Sequence, residues 1–421
     1  MQKDYATIQR IVLNNKNNLL YNKQNNKVSN IKKIVYYKNT FRNNAMRIGV
    51  NTRLFLQNKL DGIGWFGVET MKRITRNHPE HEFFFFFDRK PDQEFIFSSN
   101  VNPIVLIPQA RHPILWYLFF EHSITYALKK YKIDLFLSPD GWISLQTKVP
   151  TLTVIHDLNF EHYPNFLAKS HQAYMKYYFH KFAQHATRIA TVSEFSKNDI
   201  IDTYNISASK IDVVYNGSHI NYHPYNDEVK IATQQKYTDG NPYFIFIGTI
   251  LMRKNLANLF RAFDLFKTTD RKGIKLVIVG SKKWWKGEIE DTYNSMKHKN
   301  DVIFMGRVSP EILGQMLSSA LALTYISFFE GFGIPILESF YAETPVITSK
   351  TTSMPEVAGD AALLVDPLSI TEIVAAMNEI ANNENLRKEL VKKGKIQRNN
   401  FSWDLTAEKL WDSMIKTIEQ K

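Results

Sequence analysis

The chain has 421 residues, enough for two or three domains with ample core. Hydrophobic residues make up 44% of it and charged residues 22%, the balance of a soluble globular protein. The absence of cysteine excludes a disulfide frame, a thiolate nucleophile and a cysteine-ligated zinc, and no apolar run approaches the roughly 18 residues a membrane helix needs.

The net charge of +12 is unevenly spread. Residues 1–45 hold nine Lys/Arg against one acid, Asp4, so eight of the twelve excess charges lie there and four fall on the other 376 residues. No aromatic–basic motif recurs in the body, and nucleic acid is not expected as a partner. With eleven Asn, residues 1–45 bury too little apolar surface to fold and predict a flexible extension, at most with a short helix near Tyr5–Leu13. One reading makes it a tether to acidic lipid head groups, each basic residue adding about 1 kcal/mol. The other places the start of translation at Met46, because Met46-Arg47-Ile48-Gly49-Val50 reads as a domain's first strand. No apolar stretch followed by small residues opens the chain, so the expected location is cytoplasmic, with any membrane contact peripheral and on the inner face.

From Met46 onward short apolar runs alternate with helical patterns. Strands are predicted at 48–51, 82–87, 103–107, 135–137, 151–155, 189–192 and 211–214, with helical segments such as 67–77 and 117–131 between them. Repeated β–α alternation with apolar strands implies a parallel sheet covered on both faces. A helix over 227–237 precedes a second series at 243–247, 276–279, 302–305, 322–325, 346–348 and 362–365, and a last helix covers 405–418. The expected division is an extension (1–45), a first α/β domain (46–223), a second (224–400) and a terminal helix (401–421). Two such domains in tandem place a ligand cleft at the carboxyl ends of their strands.

Gly62-Ile63-Gly64-Trp65-Phe66-Gly67 matches a dinucleotide fingerprint, with Asp88 beyond it at a strand end. About ten residues separate the first glycine from the preceding strand, which suits a glycine-rich flap over the cleft better than a phosphate turn. The run Pro113–Phe120 is rich in large apolar side chains and reads as a core helix or, alternatively, as a membrane-surface contact. His156, at a strand's carboxyl end, is placed to donate to a hydroxyl or carry a proton, or to bond only to backbone. Arg111, His112 and His162 read as surface or structural residues. Ser193 reads as a helix N-cap beside the cleft, and Ser309 and Ser369 as ordinary caps.

Two stretches of the second domain carry chemistry. Gly248-Thr249-Ile250-Leu251-Met252-Arg253-Lys254-Asn255 ends a strand in a glycine turn, sets two cations before a helix and predicts Asn255 as its cap. Cations there oppose the helix dipole, so a bound anion accounts for them better than helix stability does. Phe328-Phe329-Glu330-Gly331-Phe332-Gly333-Ile334-Pro335-Ile336-Leu337-Glu338 sets a carboxylate before a Gly-x-Gly turn, a proline suited to a helix's first position and a second carboxylate. Carboxylates beside an anion site suit a ligand bearing both phosphate and hydroxyls, as a sugar nucleotide does. Gly280-Ser281 and Gly306-Arg307 fit loops around a nucleotide base. No Asp-x-Asp pair occurs, and with Arg253, Lys254 and the helix dipole placed to neutralise a diphosphate, neither a metal nor another cofactor is expected.

Glu330 and Glu338, with seven residues between them around Gly-Phe-Gly, resemble the Glu-x7-Glu motif of retaining glycosyltransferase family 4. Glu343-Thr344-Pro345-Val346-Ile347, Met354-Pro355-Glu356-Val357 and Gly359-Asp360-Ala361-Ala362 are similar to that family too, and the likeness runs from about Met46 to the C-terminus. The resemblance implies a GT-B fold: two Rossmann-like parallel-sheet domains facing a cleft, with the last helix crossing back to the first. It implies transfer of a hexose from a nucleoside diphosphate sugar, with retention, to a glycan or lipid-linked acceptor in cell-surface polysaccharide synthesis. Arg253 and Lys254 would hold the diphosphate, Glu338 the ribose, and Glu330 with Gly331, Phe332 and Gly333 the sugar. Gly248, Ser281 and Arg307 would line the nucleotide site, His156 would face the donor sugar, and Gly62, Ile63, Gly64 and Ser193 would close the other side. The Gly-Thr-x5-Asn loop points mildly to GDP-mannose, with UDP-sugars open. The alternatives are a non-catalytic GT-B subunit that binds a partner transferase or sugar nucleotide, and a GT-B epimerase or phosphorylase.

Overall fold

The computed structural model describes residues 45–57, 59–164, 169–218, 222–282 and 285–420. The flexible extension, its short helix and the lipid tether fall on residues outside the described ones.

Seven strands form the first sheet: β1 (Arg47–Asn51), β2 (Glu82–Phe87), β3 (Val101–Val105), β4 (Leu135–Ser138), β5 (Thr151–Val154), β6 (Arg188–Thr191) and β7 (Ile211–Val213). They are parallel throughout, in the order β3-β2-β1-β4-β5-β6-β7. The second sheet holds β8 (Tyr243–Ile247), β9 (Lys275–Val279), β10 (Val302–Gly306), β11 (Ala322–Tyr325), β12 (Val346–Ser349) and β13 (Leu363–Val365), also parallel, in the order β10-β9-β8-β11-β12-β13. The central strands are unbroken apolar runs because helices cover both faces. Five phenylalanines of β2 and all of β8 are buried. Strand β3 begins two residues earlier than its pattern suggests, and it tolerates Pro103 because it is an edge strand.

In each sheet the strand order reverses once, between β1 and β4 and between β8 and β11. A ligand crevice opens at the carboxyl ends of strands at such a point.

The glycine-rich flap is a helix. Residues Gly62–Asn77 form one continuous helix, capped by Asp61, whose Oδ1 accepts the Gly64 amide at 3.0 Å. The fingerprint glycines are therefore its first turns, and Gly67 is where the helix meets Phe55. That arrangement leaves no phosphate turn after β1, and Asp88 is buried and paired with Arg89.

The helical run that starts at Pro113 continues to Lys130 through a wide π turn over Leu118–Ile124. The core reading holds for one face of this run. Trp116, Phe119 and Phe120 enter the core, whereas Ile114, Tyr117 and Leu118 are exposed.

The last helix, Trp403–Glu419, crosses back onto the first domain. Ser402 caps it by accepting the Leu405 amide at 3.2 Å, and Trp403 packs edge-on to Phe66. Arg73 Nε donates to Asp404 Oδ1 at 2.6 Å, and Ser413 Oγ donates to Asp212 Oδ2 at 2.8 Å.

The turns after β8, β9 and β10 are laced together. The Gly248 amide donates to Val279 O at 2.9 Å, the Gly280 amide to Gly306 O at 2.8 Å and the Ile250 amide to Ser281 O at 3.0 Å. Gly280 has φ +147°, and a Cβ there would lie 1.9 Å from Gly248 O. Neither backbone can yield without unlacing the turns. Gly280→Ala is expected to cost at least about 2 kcal/mol and lower Tm by about 5 °C; a melting curve that superposes on the wild type would contradict this account of the turn.

Candidate active site

The β8/β11 switch point joins the two chemical stretches of the sequence. Arg253 and Lys254 lie in a tight turn, Met252–Lys254, after β8, and Glu330 lies in the loop after β11. Arg253 Nη1 is 2.7 Å from Glu330 Oε2, and Lys254 Nζ is 2.6 Å from Glu330 Oε1. Lys254 Nζ also donates to the Tyr325 hydroxyl at 2.5 Å, and Arg253 Nη1 to Phe329 O at 3.0 Å. Side-chain exposure is 8% for Glu330, 9% for Lys254 and 20% for Arg253, so water screens this trio little.

One carboxylate serves two cations, and the titration shifts reflect that imbalance. Burial works to raise the Glu330 carboxyl, but the charges and hydrogen bonds of Arg253 and Lys254 prevail and hold it at about 2. Burial pushes the Lys254 ammonium down to about 8, with Glu330 opposing and Arg253 adding to the push. Glu330 is firmly ionised, whereas burial loosens the hold of Lys254 on its proton.

Asn255 stands at the N-cap of the helix Leu256–Lys267, but its side chain makes no capping bond. It adopts a left-handed φ of +59°, which Asn tolerates, and donates Nδ2 to Pro367 O at 2.7 Å. The helix Ile334–Tyr341 begins one residue before Pro335, with Gly333 at its N-cap in a left-handed φ of +100°. Ser353 fixes the loop between β11 and this helix, donating Oγ to Glu330 O (2.8 Å) and to Phe332 O (3.0 Å). Phe332 is buried, with Tyr215 and Phe401 against its ring.

Glu338 lies on the same helix and is partly exposed. Burial pushes its carboxyl up to about 7, against the lowering effect of a hydrogen bond from the Tyr222 hydroxyl. The two glutamates therefore differ, one held ionised and the other held near neutral.

The first domain meets this site at Gly331, where a Cβ would lie 2.2 Å from His156 O and 2.8 Å from Asp157 Cβ. Ser193 is indeed the cap of the helix Glu194–Tyr204, accepting the Ser196 amide at 3.0 Å, and it also donates to Gly331 O at 2.7 Å. Glu356 of the second domain accepts the Glu194 and Phe195 amides at 2.8 and 3.1 Å. Gly62 is exposed at its helix start, with Ile334 beside it.

His156 packs edge-on to Phe66, and its Nε2 is 2.8 Å from Pro139 O. A carbonyl only accepts, so Nε2 carries the proton. Burial lowers the ring's pKa, with the Pro139 bond opposing, which favours neutral imidazole with Nδ1 as an acceptor. His156 is thus built to accept from a hydroxyl rather than to donate to one. His162 pairs with Asp199, and Arg111 and His112 are exposed. Gly248 lies in the laced turns, Ser281 contributes its carbonyl to them, and Arg307 is exposed beyond β10. Tyr222, Tyr325, Ser353 and the cross-domain role of Glu356 were not foreseen; only Glu356 lay in a motif already noticed.

Among the described residues, one trio of metal-ligating types comes together: His78, Glu80 and His81, with ligand atoms within 4.8 Å. It sits about 20 Å along the helix from Gly62. Its imidazole planes are 15° from parallel, so their in-plane lone pairs do not converge. The rings stack on Trp411 instead.

The Glu338 shift has a stability consequence. Its folded value lies above its ordinary 4.5, so the stability it contributes is complete below about pH 4.5 and is lost as pH rises through 7. Glu338→Gln should therefore match the wild type near pH 5 and exceed it by about 1–2 kcal/mol at pH 8, a figure reduced for partial exposure. Thermal melts across this range check it; a gap independent of pH would show that Glu338 ionises freely.

Residues 61–221 match the family described as Glycosyltransferase Family 4, and residues 227–397 match Glycosyl transferases group 1. The chain is 29% identical to O-antigen chain mannosyltransferase B of Escherichia coli over 82% of its own length and 93% of that protein's. It is 27% identical to O-antigen chain mannosyltransferase RfbU of Salmonella typhimurium over 61% of its length and 67% of that protein's. Among solved structures it is similar in fold to sucrose-phosphate synthase from Thermosynechococcus elongatus, at 16% identity and a TM-score of 0.70, covering 87% of this chain and 98% of that one. With both halves matched and two parallel sheets in the structure, the chain belongs to glycosyltransferase family 4 and has the GT-B fold.

Proposed function

We propose that this glycosyltransferase moves mannose from GDP-mannose to a hydroxyl of a glycan or lipid-linked acceptor during cell-surface polysaccharide synthesis. Transfer keeps the donor's α configuration and uses no metal. The observation that carries this reading is the buried trio at the β8/β11 switch point, where two cations directly contact one carboxylate and can take up a further anion. The diphosphate of a sugar nucleotide is such an anion. The preference for mannose, and for polysaccharide synthesis, rests on the names of the two mannosyltransferases described above.

In this reading Arg253 and Lys254 stabilise the departing diphosphate where its charge develops, the role a metal has elsewhere. Glu338 accepts from the ribose hydroxyls, exchanging its Tyr222 partner for them. Glu330 and the amides of Gly331–Gly333 hold the sugar, and His156 Nδ1 accepts from one of its hydroxyls. Gly248, Ser281 and Arg307 border the base. The acceptor attacks the same face that the phosphate leaves, from the side bounded by the first domain (46–223), Ser193 and the helix start at Gly62–Gly64. The second domain (224–400) carries the donor.

Peripheral contact with the inner membrane face is part of the proposal, through exposed Ile114, Tyr117 and Leu118 and the neighbouring Ile107. Among the described residues no helix is long and apolar enough to cross a membrane.

Thermal-shift measurement with GDP-, UDP-, ADP- and dTDP-sugars tests the donor. GDP-mannose at 100 times its Kd adds about 2.7 kcal/mol and should raise Tm most; a larger shift with a UDP-sugar would overturn the mannosyl assignment. Arg253→Ala is expected to lower kcat/KM at least tenfold, about 1.4 kcal/mol, and unchanged kinetics would remove Arg253 from the reaction. Turnover should survive EDTA; its loss would show a metal in the mechanism.

A further inference from the structure

The first sheet has its own switch point, between β1 and β4, and the residues there form a second buried polar cluster. Asn51 ends β1, and Arg53 follows two residues later; Ser138 ends β4, and Asp140 and Trp142 follow it. Asn51 Nδ2 donates to Asp140 Oδ1 at 2.8 Å and to Ser138 Oγ at 3.1 Å. Ser138 Oγ and the Trp142 amide approach the same Asp140 oxygen at 3.1 and 3.3 Å. Asp140 Oδ2 is left for Arg53 Nε, at 2.7 Å, with side-chain exposures of 4% and 10%. The Arg53 guanidinium lies over the rings of Trp142 (5.1 Å) and Phe120 (5.7 Å).

Every oxygen of Asp140 is thus occupied, whereas Arg53 uses one of its three nitrogens. Its two terminal nitrogens have no partner among the described residues, yet they are not among the sealed, unpartnered polar atoms. A guanidinium nine-tenths buried, fixed by a carboxylate and two aromatic rings, with its fork open at a strand-order reversal, is arranged to receive a ligand. Pro139, in the same loop, bonds His156, so this crevice adjoins the donor side. Tyr174, half-buried and stacked on Trp142, stands within electrostatic reach of Arg53.

We propose that Arg53 is a specificity-determining residue of the acceptor subsite, donating its terminal N–H groups to hydroxyl or ring oxygens of a neutral sugar. Asp140 already balances its charge, which disfavours a bare anion and suits an uncharged polyhydroxyl ligand beside an aromatic ring. The acceptor is therefore recognised through its terminal sugar. This inference rests on the transferase reading above, and it adds the acceptor's chemical class and the residue that reads it.

The test uses the full chain, GDP-mannose as donor and α-linked mannobioses as acceptors. Arg53→Lys keeps the charge and loses the fork. The acceptor KM is expected to rise at least tenfold, with the KM for GDP-mannose and the GDP-induced Tm shift unchanged. Equal KM values for the acceptor, or a donor KM that rises in parallel, would overturn the assignment. Deuterium exchange of the wild type with mannobiose provides a second reading that needs no variant. Protection over residues 51–57 and 138–145 supports the subsite; protection elsewhere, or the same protection by inorganic phosphate, overturns it. Wild-type chain that neither binds nor hydrolyses any nucleotide sugar would instead defeat the transferase reading, while the exchange result would still report on the crevice.

Discussion

A single carboxylate shared between two cations is the constraint on which the second domain's site depends. Glu330 makes short contacts to Arg253 and Lys254 from a place with little water, so two cations share one contacting carboxylate in a low-dielectric setting, with the Asp157 carboxylate acting on both from farther off. Burying charge is costly unless partners are complete, and here only one carboxylate is in direct contact with the two cations. Glu330 therefore does two things at once. It keeps two cations folded into the crevice, and it opposes without cancelling the effect of burial, which lowers the Lys254 pKa. Tyr325 also holds Lys254 with a neutral oxygen, which positions the ammonium without neutralising it.

Two loops must stay in register for this to work, and the backbone secures both. The turn bearing the cations follows β8, whose glycine neighbours are laced to the turns after β9 and β10. The loop bearing Glu330 is fastened from the β12 side by Ser353 and at Ser327 O by Ser349. The first domain is fitted to it by contact of backbone with backbone, since Gly331 leaves no room for a side chain against His156 O. Glu356 completes the join by satisfying the free amides that open the Glu194–Tyr204 helix.

Much of this was legible in the sequence, because it is written in patterns. Apolar runs of four to six residues marked almost every strand, and the cation pair and the spaced glutamates stood out against their surroundings. The misreadings share a cause, which is local chemistry settled by distant residues. The glycines at 62–67 looked like a loop because Asp61 was not recognised as the cap that starts a helix there. Asn255 looked like a cap, but Pro367, over a hundred residues away, takes its side chain. Tyr222, Tyr325, Ser353 and Arg53 belong to no motif. They matter through the oxygen or ring that topology brings to them, and a Tyr or Ser in isolation carries no sign of that.

The pair of glutamates shows best why position outweighs residue type. Glu330 and Glu338 are the same chemical group eight residues apart, yet one is held near 2 by two cations and the other near 7 by burial beside a neutral phenol. Two groups pushed apart in this way cannot share a role. The ionised one can only accept, and its lone pairs are already directed at cations, so it organises charge. The other lies close to the pH at which its proton is shared, with a hydroxyl donor against it, so hydroxyls of a ligand can replace that donor at little electrostatic cost. A ribose offers such a pair of hydroxyls, and a diphosphate attached to it would reach toward the cations. The division of labour proposed for the donor thus follows from two environments that one sheet and one short helix create.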